Sequence, residues 1–279
     1  MNSRKLAFFI IWLLIIQTVS ATFISITTTI TTDTMTGGIA KTHVKLLNSG
    51  DETAYNVQVS LITDTFKTDQ IYVGNLDPKI PFEGNLNITK TKEIPSGSYP
   101  LVVLTDYSDA NGYPFSSVSP TYMTYKNPTV SKVSGAFSEL SLSGKESKKI
   151  ELTLRNLDSI KHDLKIKLIL PRELKVEQED KNLSIGSKEE KKLDFDVSSF
   201  SALAGSSYVV LASIEYDDNN LHYSSFAQTI IKIIEEGKVN TIPLPSYWPV
   251  GIAVVLILIF LYYQISGRKK WKKIENEKS

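Results

Sequence analysis

The residues best equipped for acid–base or metal chemistry in this chain are three histidines, His43, His162 and His222, spread over 279 residues with no cysteine among them. Structural zinc takes four Cys or His ligands at short spacing, and a catalytic triad needs a nucleophile with a base beside it. The sequence writes neither: the histidines are far apart, and there is no Gly-x-Ser-x-Gly turn and no glycine-rich phosphate loop. His43 follows Thr42 where Val44 and Leu46 alternate inward, so its ring is expected in solvent, while His162 and His222 fall near turns. The expectation is a protein without catalytic residues, metal or cofactor, and not an enzyme.

Acidic turn clusters are the remaining candidates for a metal. Asp106, Asp109 and Asn111, and again Glu215, Asp217, Asp218 and Asn219, could offer oxygens to Ca²⁺ from a loop. They lack the ligand spacing of a full calcium loop, and Asp, Asn and Gly are what a hairpin turn needs. Turn chemistry is the primary reading, with Asp106, Asp109, Asp217 and Asp218 kept as calcium alternatives. Two glycosylation sequons occur, Asn87-Ile88-Thr89 and Asn182-Leu183-Ser184. Alternation turns Leu86 and Ile88 inward and Asn87 outward. The mixed-sign run Lys188 to Lys192 reads as a solvated turn or strand edge.

The elements that must carry these residues are strands. In Tyr55-Asn56-Val57-Gln58-Val59-Ser60-Leu61 apolar and polar residues alternate, the period of a half-buried strand, and no long stretch has helical period. Asn48-Ser49-Gly50-Asp51, Asp77-Pro78, Pro95-Ser96-Gly97 and Asn111-Gly112 supply the breaks. The Thr-rich piece Thr27 to Thr34 fits an edge strand or a stalk-like lead.

The pattern then repeats at an offset of about 108 residues. Leu46-Leu47-Asn48 is matched by Leu154-Arg155-Asn156, and Gly97-Ser98-Tyr99 with Val102-Val103-Leu104 by Gly205-Ser206-Ser207-Tyr208 with Val209-Val210-Leu211. A unit of this length with about seven short strands is the size of one immunoglobulin-like sandwich. The expected fold is all-β: two tandem Ig-like β-sandwiches, 22–127 and 128–236, plus one C-terminal transmembrane helix.

The turn Asn48-Ser49-Gly50-Asp51 before Ala54-Tyr55-Asn56-Val57, the stretch Gly74-Asn75-Leu76-Asp77-Pro78, the strand start Ser96-Gly97-Ser98-Tyr99-Pro100 and the run Asp106 to Gly112 resemble CARDB-like repeats of archaeal and bacterial surface proteins. The chain is also similar to archaeal S-layer-associated proteins that end in one membrane helix. This resemblance implies an Ig-like fold at a cell surface and transfers no catalytic residue. In the second repeat Asn156-Leu157-Asp158 lacks the turn glycine.

Both ends of the chain carry addressing signals. Arg4 and Lys5, the apolar run Leu6 to Ile16 and Val19-Ser20-Ala21 read as a signal peptide over 1–21, with an uncleaved anchor as the alternative. From Trp248 to Ile265 no charge occurs, and these roughly 18 residues would reach ~27–30 Å as a helix, one bilayer crossing. Residues 237–246 form a Pro-containing linker, 247–266 the span and 267–279 a basic tail. Trp248 and Tyr262 mark the two interfaces, and Arg268, Lys269, Lys270, Lys272 and Lys273 place the C-terminus in the cytoplasm, with the bulk of the chain outside. A formal net charge of +1 gives no bulk attraction to nucleic acid. These features predict a single-pass cell-surface protein whose partners are the lipid bilayer and a protein at the cell surface, for contacts of S-layer or adhesion type. The alternative is an extracytoplasmic accessory subunit of a membrane transporter or secretion complex.

Overall fold

A computed structural model describes residues 22–234, Lys145 excepted. The expected leader over 1–21 and the expected linker, span and tail over 237–279, with Trp248, Tyr262 and the cations from Arg268 to Lys273, lie outside the described residues. Among the described residues no helix is long and apolar enough to cross a membrane.

The described chain is all-β and falls within one compact unit. Its first half gives β1 (Ile26–Thr32), β2 (Ile39–Asn48), β3 (Ala54–Ile62), β4 (Phe66–Thr68), β5 (Gln70–Leu76), β6 (Pro81–Lys90), β7 (Ser96–Ser108) and β8 (Pro114–Tyr125). The second half gives β9 (Val133–Phe137), β10 (Leu140–Ser143), β11 (Ser147–Asn156), β12 (His162–Ile169), β13 (Leu174–Val176), β14 (Asp180–Ile185), β15 (Glu190–Ser199), β16 (Ser207–Asp218) and β17 (Leu221–Ile234).

Pairing repeats strand for strand. The sheet β1-β2-β6-β4 has its counterpart in β9-β11-β15-β13, and the run β5-β3-β7 with β8 has its counterpart in β14-β12-β16-β17. Period-2 patterning is the cause. On β2, Thr42, Val44 and Leu46 are buried while Lys41 and His43 are exposed, and on β11 Ile150, Leu152 and Leu154 turn in together. Each half therefore closes its own core. One holds Val44, Leu46, Val59, Leu86, Leu101 and Met123, the other Leu152, Ile166, Phe195, Val210 and Ile214. Among the described residues Thr-rich β1 is an edge strand paired only to β2, and β10, which has no counterpart strand in the described first half, pairs parallel to β17.

Asn48 and Asn156 end β2 and β11 at the same corner of each half. The Asn48 amide donates to the carbonyls of Glu52 (2.7 Å) and Leu76 (3.2 Å), and its Oδ1 accepts from Gly50 N (3.0 Å) and Ser25 N (3.3 Å). The Asn156 amide donates to the carbonyls of Ile160 and Gly186, both at 2.8 Å, and its Oδ1 accepts from Asp158 N at 2.8 Å. Turn chemistry here is a buried, hydrogen-bonded amide that ties the loop after its own strand to a segment distant in sequence.

Candidate functional site at the repeat joint

The two halves do not hang as separate beads. At their junction β7 pairs with β17, Ser96 opposite Leu221 and Gly97 opposite His222, so the two inner sheets run on as one nine-stranded sheet. Backbones approach closely there, because a Cβ at Gly97 would overlap the His222 carbonyl.

A third apolar cluster lies between the halves. Val102, Leu104 and Val118 of the first meet Ile169 and Leu211 of the second, with Ile62 and Phe226 packed against them. These are equivalent positions: Ile62 and Ile169, Val102 and Leu211, and Val118 and Phe226 stand 107, 109 and 108 residues apart. The joint thus resembles a self-complementary contact between two copies of one surface. β7 is consequently covered on both faces, Leu101 and Val103 by its own core and Val102 and Leu104 by the other repeat.

Polar groups frame this cluster. Asp64 meets Lys165 at 2.8 Å and Lys167 at 2.7 Å; burial opposes its ionisation, but the two ammonium groups hold its carboxyl below the usual range. Arg172 reaches Asp106 at 2.7 Å, where burial pushes the carboxyl upward and the guanidinium partly offsets it. Glu173, nearly fully buried, accepts from the backbone N–H and the hydroxyl of Ser116, both at 2.6 Å. The Ser224 hydroxyl donates to the Ser98 carbonyl at 2.7 Å.

His222 closes the joint. Its ring lies parallel to that of Tyr99 at 4.0 Å, and its Nδ1 sits 2.7 Å from the Asp217 carboxylate. Nε2 is 3.3 Å from the Glu215 carboxylate, a second ion-pair contact. Burial works against the imidazolium, yet the two carboxylates outweigh it and raise the pKa above 6.5. Burial also raises the pKa of Tyr99, whose hydroxyl donates to the Pro95 carbonyl at 2.7 Å.

The other sequence candidates are dispersed. His43 is exposed, with Nδ1 3.1 Å from Asn85 Oδ1, and His162 is buried against Asp158 (3.2 Å) and the Tyr216 ring. Asp109 Oδ1 accepts from the backbones of Asn111 (2.9 Å) and Tyr113 (2.8 Å), which is turn chemistry. Asp218 accepts from the Asn219 amide at 2.9 Å beside a two-residue hairpin whose Asn219 and Asn220 both have positive φ. Asp106 and Asp217 are engaged at the joint, with Arg172 and His222. Among the described residues no group of three or more His, Cys, Asp and Glu is placed to hold a metal. Asn87 is exposed with its amide on Asp69 (2.6 Å), and Asn182 is exposed on edge strand β14.

Arg172, Glu173 and Asp64 carry the joint and were not singled out by the sequence. Its one signal was the pair of runs Leu101-Val102-Val103-Leu104 and Val209-Val210-Leu211-Ala212, where apolar residues fill both parities of a strand.

No family model matches the chain, and no curated protein matches it. Similar solved structures include a Salmonella alpha-2-macroglobulin mutant (12% identity, TM-score 0.33, 75% of this chain and 16% of that one). A protein of unknown function from Porphyromonas gingivalis is 11% identical at TM-score 0.30, with 73% of this chain and 99% of that one covered. Red sea bream transglutaminase is 10% identical at TM-score 0.27, over 83% and 34%. This chain thus spans about a sixth of the macroglobulin.

Proposed function

We propose that the chain is a non-enzymatic, single-pass membrane protein that displays two Ig-like sandwiches outside the cell for protein or envelope contacts, of the S-layer or adhesion type. The observation behind this reading is the joint. Equivalent faces of the two repeats are spent on one another, so the pair forms one stiff body whose outer four-stranded sheets and end loops remain as contact surfaces. A short Pro-containing linker and the apolar span Trp248 to Ile265 would hold this body at the membrane, and the cations after the span would set its orientation.

Protease added to intact cells tests the reading. Loss of the bulk of the chain with a small C-terminal fragment spared is the expected result, and full protection would overturn the topology.

A further inference from the structure

The sheet face that joins the repeats is only half covered. On β17, Phe226 lies under the first repeat, whereas Ile230 and Ile234, on the same face, are 53% and 51% exposed. Opposite Ile230 stands Val209, 38% exposed and two positions from Leu211, which is inside the joint. Val209 and Ile230, with Leu140, line a shallow groove of about 500 Å³, which also carries Glu139, Gln228 and Lys232.

We infer that this groove binds a second copy of the chain, the Val209–Ile230 strip of each against that of the other and Glu139 of each against Lys232 of its mate. Two features favour that occupant. The strip continues a face whose covered half already receives a sandwich of the same build, so the surface suits such a partner. A two-fold contact also requires each charge to find its complement on the same surface, and one groove holds an acid and a base. Tethering in one membrane would raise the effective concentration of copies; this last point alone rests on the proposed anchor.

The chain has no cysteine, which makes the test direct. Ile230→Cys in the full-length chain, oxidised mildly in its own membranes, should give a disulfide-linked homodimer on a non-reducing gel. Thr29→Cys, on the exposed face of β1, should remain monomeric. Adding Lys232→Glu to Ile230→Cys should lower the dimer fraction about tenfold, and Glu139→Lys in that background should restore it. A monomer, a cross-link to a different protein, or a dimer indifferent to the charge exchange would overturn the inference. Membrane fractionation separates the two ideas. A monomer that sediments with membranes defeats the dimer only, and a dimer in the soluble fraction defeats only the anchor.

Discussion

His222 of the second repeat lies flat on Tyr99 of the first, ring planes 6° apart, with Asp217 behind its Nδ1. Its folded pKa is raised above 6.5, so its stabilisation of the joint is fully present below about 6.5 and is lost as pH rises through the folded value. From β16 the facing charges are Glu215 and Asp217; from β7 the facing titratable group is Tyr99. Melting temperature should therefore fall between pH 6 and pH 8, by about 2–4 °C for each kcal/mol lost. His222→Gln should flatten that dependence, and a wild-type profile already flat over this range would refute the assignment.

Gly97 is the place where the repeats touch backbone to backbone. Gly97→Val inserts a branched side chain into the His222 carbonyl and should part β7 from β17 while both cores persist. Limited proteolysis should then cut the connector between Tyr125 and Val133, which in the wild type should resist at the same protease dose. Equal resistance in the variant would show that the joint tolerates separation of these strands.

Asn48→Ala and Asn156→Ala each remove a buried amide and leave carbonyls and N–H groups without partners. Each should cost about 2–4 kcal/mol in urea unfolding, with similar loss at the two sites because the corners are equivalent. Asn→Asp should be no milder, since a carboxylate would face two carbonyl oxygens. A loss under about 0.5 kcal/mol, the level of an ordinary surface change, would contradict the role.

Glu173→Ala should cost about 2–4 kcal/mol because it strands the Ser116 N–H and hydroxyl in a buried place. Glu173→Gln keeps an acceptor and should recover about half. If the two variants unfold alike in denaturant, the buried carboxylate contributes through packing alone.

Alternation at Val57, Val59 and Leu61 made the strands legible, and the 108-residue offset between Asn48 and Asn156 is the spacing of two identical corners. Less could be read where local rules yield to contacts from afar. Asn56 has φ of 52° and lies in a bulge that shifts the β3 register, though the sequence there reads as a regular strand. β4 and β13 have three residues each, too few to show a period. The joint was visible only as apolar residues at both parities of β7 and β16. Such a run shows that a strand is covered twice without saying by what. His222 reads as a residue near a turn, which it is, but its burial comes from Tyr99, more than a hundred residues upstream.

β17 is the last described strand and ends at Ile234. It is bonded antiparallel to β16 over twelve residue pairs, parallel to β10 at its exit and parallel to β7 at its entry. A load applied at Ile234 along the axis of β17 would put all three ladders in shear, so many hydrogen bonds would have to fail together where an unzipping load would break them one at a time. The described strand nearest in sequence to the proposed anchor is thus one whose three ladders resist a load along its axis.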